Sequence, residues 1–142
     1  MTTSVSASRL IAAPAEKIFD LLADPTRHHE FDGSGSVLAA RDGTPTRLAL
    51  GAKFGMDMKI GFSYKITNEV VEFEENRSIA WRHFGRHVWR YQLEATDGGT
   101  QVTESFDWTN ARSRLLITMM GYPKKNLAAI EQTLERLASV VE

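Results

Sequence analysis

Residues 4 to 11 alternate, with Val5, Ala7, Arg9 and Ile11 on one side and Ser4, Ser6, Ser8 and Leu10 on the other, a period of two that predicts a first strand. Pro14 then resets the backbone and suits the first position of a helix. Ala15, Ile18, Phe19 and Leu22 follow at spacings of three and four, so residues 14–23 are predicted as an amphipathic helix. Asp24-Pro25 ends it and starts a second short helix, with Asp24 as N-cap and Pro25 at the first helical position. That helix runs through Phe31 until Gly33-Ser34-Gly35 breaks it.

From Val37 the period returns to two. Strands are predicted at 37–40, 53–60, from Tyr64 to about Glu74, and at 78–84, separated by Asp42-Gly43-Thr44-Pro45, Gly61 and Glu75-Asn76-Arg77. Phe54, Met56, Met58 and Ile60 share one face of their strand, and Tyr64, Ile66 and Val70 or Val71 lie in the next. Gly85-Arg86 turns the chain. Strands 87–95 and 100–108 flank Asp97-Gly98-Gly99, a hairpin signal suited to a type I′ turn with positive φ at both central residues. The tail changes to a period of 3.6: Leu127, Ile130, Leu134, Leu137 and Val141 are spaced 3-4-3-4 and predict a long helix. Residues 112–120 are also helix-like, and Gly121-Tyr122-Pro123 is expected to kink or break them away from the tail.

Helices segregated to the ends of a run of strands define the α+β class rather than an alternating α/β fold. Gly33-Ser34-Gly35 lacks the third glycine of a dinucleotide fingerprint and is read as a breaker. Composition narrows the picture further. A chain of 142 residues fits one domain, residues 1–142, which buries roughly 68% of its unfolded surface without metal or disulfide support. Seventeen basic and eighteen acidic residues give a net charge of -1, without the basic surplus that a nucleic-acid partner would select. The absence of cysteine removes disulfides, thiolate nucleophiles and Cys-based zinc sites. No signal peptide precedes the first strand and no stretch approaches the about 18 apolar residues of a membrane span, so a cytoplasmic location is expected.

The order of elements and several local strings resemble the START-like (SRPBCC) superfamily, in particular its polyketide cyclase/dehydrase branch. The strings are Ile11-Ala-Ala-Pro-Ala-Glu-Lys-Ile-Phe-Asp-Leu-Leu-Ala-Asp-Pro25, Thr67-Asn-Glu-Val-Val-Glu-Phe73, Ile79-Ala-Trp-Arg82, Gly98-Gly-Thr-Gln-Val-Thr-Glu104 and the terminal Leu134-Glu-Arg-Leu137. The resemblance spans nearly the whole chain. It implies a helix-grip fold: a curved antiparallel sheet of six to seven strands around the C-terminal helix, with two short helices after the first strand and an apolar cavity between. Its members include lipid and hormone binders and aromatase/cyclases, so the activity has to be argued from the site.

A two-residue turn at Asp97-Gly98 or Gly98-Gly99 places Trp89, Tyr91 and Leu93 on the same face as Val102, Glu104 and Phe106, and brings His87 and Trp108 to that face. Glu104 is then a carboxylate on an apolar face. Two readings follow. If Gly85-Arg86 is a two-residue turn, Arg82 also faces inward and forms a structural pair with Glu104; otherwise Glu104 orients a ligand or acts as acid or base with a raised pKa. His87 and Tyr91 join it as candidate catalytic groups, against the simpler readings of a strand-end histidine and a core ring. The cavity wall is expected to contain Phe54, Met56, Met58, Tyr64, Trp81, Arg82, Trp89, Phe106, Met119 and Met120, the methionines supplying adaptable packing. Asp24, His28 and Asp32 recur every four residues, but Asp24 serves as N-cap and no H-E-x-x-H pattern is present. That short helix is therefore read as a solvated face and not a metal site. His83 and His87, on either side of a turn, are expected on opposite faces.

These residues and the resemblance lead to a binder of a small hydrophobic or aromatic molecule, lipid- or polyketide-like, without cofactor or metal, as monomer or homodimer. The alternatives are a cyclase/dehydratase using Glu104 as proton carrier and a protein-interaction module without a small-molecule ligand.

Overall fold

In the computed structural model the described residues are 3–33, 37–40, 45, 47–60, 62–83 and 85–142, with 37–40, 60 and 62 described by backbone alone. The expected breaks at Ser34-Gly35, 42–44 and Gly61, and Phe84 at the end of its expected strand, lie outside them. Seven strands form one antiparallel sheet: β1 (Ser4–Ile11), β2 (Val37–Ala40), β3 (Lys53–Ile60), β4 (Phe62–Glu74), β5 (Ser78–Arg82), β6 (Val88–Thr96) and β7 (Gly99–Asp107). Their order is β1-β7-β6-β5-β4-β3-β2, a meander from β2 to β7 with β1 added beyond its last strand. Helices α1 (Ala15–Leu22), a 3₁₀ helix (Pro25–Glu30), α2 (Arg114–Met119) and α3 (Tyr122–Val141) complete an α+β helix-grip fold.

Helix α3 buries Ile130, Leu134, Leu137 and Val141, four of the five positions that the 3.6 period selects, and packs against β1, β7, α1 and the 3₁₀ helix. Helix α1 adds Ile18, Phe19, Leu21 and Leu22 to the same core. Pro123 does not kink a continuous helix. It sits in the first turn of α3, after Gly121 has turned the chain at φ 73. The preceding α2 is capped by Ser113, whose Oγ accepts from the Leu116 N–H at 3.2 Å, and of its six residues it buries only Ile117.

The 3₁₀ helix is held at its start as the sequence predicts, with Asp24 Oδ1 accepting from the Thr26 N–H at 3.0 Å and from Thr26 Oγ1 at 2.5 Å. Three residues per turn put Pro25, His28 and Phe31 on one side, and all three are buried. His28 is therefore not part of a solvated face. Asp24→Ala is expected to lower stability by about 1 kcal/mol in urea unfolding; an unchanged midpoint would show that tertiary packing alone holds this helix.

Two turns differ from expectation. The β6–β7 hairpin closes at Asp97-Gly98 with Thr96 opposite Gly99, but neither central residue has positive φ, and the unusual conformation falls on Gly99 at φ 136. A Cβ at Gly99 would stand 2.1 Å from the Ile11 carbonyl oxygen, so the β1 backbone occupies the space that a side chain needs. Between β5 and β6 the connection runs over residues 83–87, longer than a two-residue Gly85-Arg86 turn, and pairs Arg82 with Val88 and Trp81 with Trp89. The odd number of loop residues reverses the parity: Trp81 faces inward and Arg82 outward.

Candidate functional site

Between the sheet and α3 lies a cavity of about 550 Å³, roofed by the 3₁₀ helix and by α2. Phe54, Met56 and Met58 of β3, Tyr64 of β4 and Trp81 of β5 line it. His87, Trp89 and Tyr91 of β6 and Glu104 and Phe106 of β7 form the opposite part of the wall. The hairpin register accounts for the second group, since Tyr91 stands opposite Glu104 and Trp89 opposite Phe106.

Arg82, Met119 and Met120 do not line it. Arg82 points away for the parity reason above, and Met119 and Met120 are 74% and 50% exposed because α2 turns only Ile117 inward. The expected Arg82–Glu104 pair is thus absent. On the outer face Arg90 forms ion pairs instead, at 2.5 Å from Glu72 and 3.4 Å from Asp107; its hydrogen bond holds Glu72 below its ordinary range, and hydrogen bonds from Thr109, then from Arg90, hold Asp107 below its own against the effect of burial.

Glu104 is 3% exposed. Its carboxyl stands across the β6–β7 pair from Tyr91, and its Oε1 has no partner. Burial pushes the Glu104 pKa well above its ordinary value; the Tyr91 hydroxyl opposes this, and the Asp32 carboxylate adds to it. Burial thus favours the protonated carboxyl, a form able both to donate and to accept. Tyr91 is pushed up in the same way, by burial first and then by Glu104, and keeps its phenolic proton.

Three histidines meet the cavity. His28 donates from Nε2 to the Leu22 carbonyl at 2.8 Å and stacks on Trp81 with centroids 4.9 Å apart, its edge contacts being Phe31 and Phe54. Burial lowers its pKa to about 4, so it serves as a neutral aromatic wall. His83 and His87 are brought together by the β5–β6 loop, rings 4.2 Å apart and perpendicular, and both line the cavity instead of facing opposite ways. Burial, and then His83, lowers His87 to about 4. Among the described residues no group of three or more His, Asp or Glu side chains is placed to hold a metal ion.

The sequence reading did not single out Asn68 and Thr133, which also line the cavity, and it placed Asp32, a further lining residue, on a solvated helix face. Asn68 was accessible to it: Tyr64, Ile66 and Asn68 fall on one face by the period of two, with Asn68 opposite Phe54. Thr133 lies on the inner side of α3 and accepts from the Gly33 N–H at 2.8 Å, tying the end of the 3₁₀ segment to the helix.

A sheet that grips a long helix around a half-aromatic cavity is a helix-grip architecture, and the chain belongs to the family of polyketide cyclase/dehydrase and lipid transport proteins, whose model matches residues 2–142. It is 39% identical over 140 residues, 94% of its length, to the uncharacterised protein Rv0088 of Mycobacterium tuberculosis, and spans 62% of that relative. Protein CV1439 of Chromobacterium violaceum superposes with a TM-score of 0.74 at 16% identity, covering 99% of both chains. The Aha1 dimer of Colwellia psychrerythraea does so with a TM-score of 0.67 at 16% identity, covering 99% of this chain and 97% of the other. At these identities the structural likeness is one of fold.

Proposed function

We propose that the protein binds a small hydrophobic or aromatic molecule in this cavity, with a hydrogen-bond acceptor of the ligand, such as a ketone, seated on Glu104. The observation that carries this reading is the buried Glu104 Oε1 without a partner in a half-aromatic wall. Such a group is costly to leave unmet, and a ligand carbonyl meets it. The cavity volume of about 550 Å³ lies within the range typical of small-molecule sites. On this reading the protein works in the cytoplasm, which suits a chain with no helix long and apolar enough to cross a membrane among its described residues.

Two of the three tryptophans, Trp81 and Trp89, line the cavity, so intrinsic fluorescence reports occupancy. We expect saturable quenching by 2-acetylnaphthalene, with the affinity about tenfold weaker in Glu104→Leu and the affinity for naphthalene, which lacks the carbonyl, largely unchanged. A panel of aromatic ketones and fatty acids that gives no saturable signal and no thermal shift would refute the reading.

The same carboxyl supports a second one. A neutral Glu104 beside Tyr91, with His87 in the same wall, is a proton donor placed at a ligand carbonyl, as cyclase or dehydratase chemistry requires. Glutamine keeps a donor at this position but not an acid. Turnover of an aromatic polyketone that Glu104→Gln abolishes while ketone binding persists would establish catalysis, and binding without turnover in the wild type leaves the carrier role alone.

A further inference from the structure

A short helix that borders the cavity turns its apolar side outward. In α2 and the turn after it, Leu115 is 72% exposed, Leu116 56%, Met119 74%, Met120 50% and Tyr122 40%. Leu115 and Met119, like Leu116 and Met120, are four residues apart and lie side by side on a helix. They account for five of the eight large exposed hydrophobic residues among the described residues, all within eight positions of the chain. Ile117 and Tyr122, from the same segment, line the cavity.

The charge around this patch is one-sided. Arg112, Arg114, Lys124 and Lys125 flank it, all four exposed, and the sequence holds no Asp or Glu from Trp108 to Ile130, in a protein whose net charge is -1. Lys125 lies over the Tyr122 ring at 5.8 Å. Exposed leucine and methionine tips bracketed by cations match an interface between acyl chains and anionic headgroups, where the apolar tips enter the hydrocarbon boundary and the basic groups meet phosphates. A protein partner of the same shape would have to supply both an apolar groove and an acidic rim; an anionic bilayer presents both everywhere.

We propose that α2 and the α2–α3 turn dock the protein on the surface of an anionic lipid bilayer, with the side of the cavity that Ile117 and Tyr122 line nearest the membrane. The surface is peripheral: no helix among the described residues is long and apolar enough to cross the bilayer. Docking stands apart from the ligand reading, because it concerns the outside of α2 and is measured without any ligand.

The test is co-sedimentation of the full chain with vesicles of phosphatidylcholine containing about 30% phosphatidylglycerol, against vesicles of phosphatidylcholine alone. Partition into the anionic vesicles is expected, weakening as salt rises. Lys124→Glu/Lys125→Glu should reduce it by more than the about fivefold that each lost charge contributes. Leu115→Ser/Met119→Ser should abolish it with the melting temperature kept, since both side chains are exposed. Leu10→Ser, which removes an exposed leucine on β1 at the far end of the sheet, should leave it unchanged. Absence of partition, equal partition into both vesicles, or insensitivity to the leucine–methionine pair each overturns the proposal. So does a dimer in gel filtration that this pair converts to monomer without vesicle binding, since the face is then an interface between two copies.

Discussion

Glu104→Gln is expected to make the protein more stable at neutral pH and to remove the decline of stability above pH 6.5. The sign follows from where the proton sits. In the unfolded chain the carboxyl ionises near 4.5, whereas burial keeps it protonated in the folded protein well above that. Above pH 4.5 the folded state therefore binds one more proton than the unfolded state, and stability falls by about 1.4 kcal/mol per pH unit for as long as the folded carboxyl stays neutral.

His28 and His87 act on the other side. Both are held neutral down to about 4, against 6.5 when unfolded, so their contribution is present above pH 6.5 and is lost as the pH falls from there toward 4. The wild type should then be most stable near pH 6.5, and Glu104→Gln should show a steeper acid limb between about pH 4.5 and 6.5, with a plateau above it. Urea unfolding from pH 5 to 8 gives both curves. Parallel curves would mean that Glu104 is ionised in the folded protein.

Gly99→Ala should cost roughly 3 to 5 kcal/mol, a strained φ adding to a collision that only backbone movement relieves. At φ 136 an alanine is unfavourable in any surroundings, and here its Cβ would meet the Ile11 oxygen at 2.1 Å and Ala12 Cα at 3.0 Å. The end of β1 would have to leave β7, where Ile11 pairs with Thr100. Gly98→Ala is the control. Its Cβ would reach only Leu10 Cδ2, at an ordinary 3.5 Å, and its φ is not positive, so a change within about 1 kcal/mol is expected. Equal effects at the two positions would show that the β1 contact is not what requires glycine at 99.

The elements were legible because each announces itself within a few residues. The period of two in β7, the 3-4-3-4 spacing of α3 and the Asp24-Pro25 cap are local signals, and the structure follows them. Glu104 was legible too, since the short hairpin fixes its parity against Tyr91 regardless of the turn type. Arg82 was not. Its direction depends on whether five residues or two join β5 to β6, and no side chain in 83–87 encodes that count. His28 was misread through the wrong period: spacing by four groups it with Asp24 and Asp32, whereas a 3₁₀ helix groups it with Pro25 and Phe31 and turns it inward. Met119 and Met120 failed for a third reason. Their spacing does not say which side of so short a helix faces the sheet, and the single inward residue is Ile117.

The pairing of β1 with β7 also sets the order in which the fold can be completed. Ser8 Oγ and Thr103 Oγ1 lie 2.6 Å apart across 95 residues of chain, and every rung of that ladder joins positions separated by comparable distances. The strands from β2 to β7, by contrast, pair with their neighbours in sequence. Loop-closure entropy opposes the long connection until the meander has shortened it, so the local hairpins form early and the first strand waits for the last. During ribosomal synthesis β1 is the first of the strands to be made and finds its partner only after Gly99–Asp107 has followed, so the slow step of folding is expected at the seam between the first strand and the last.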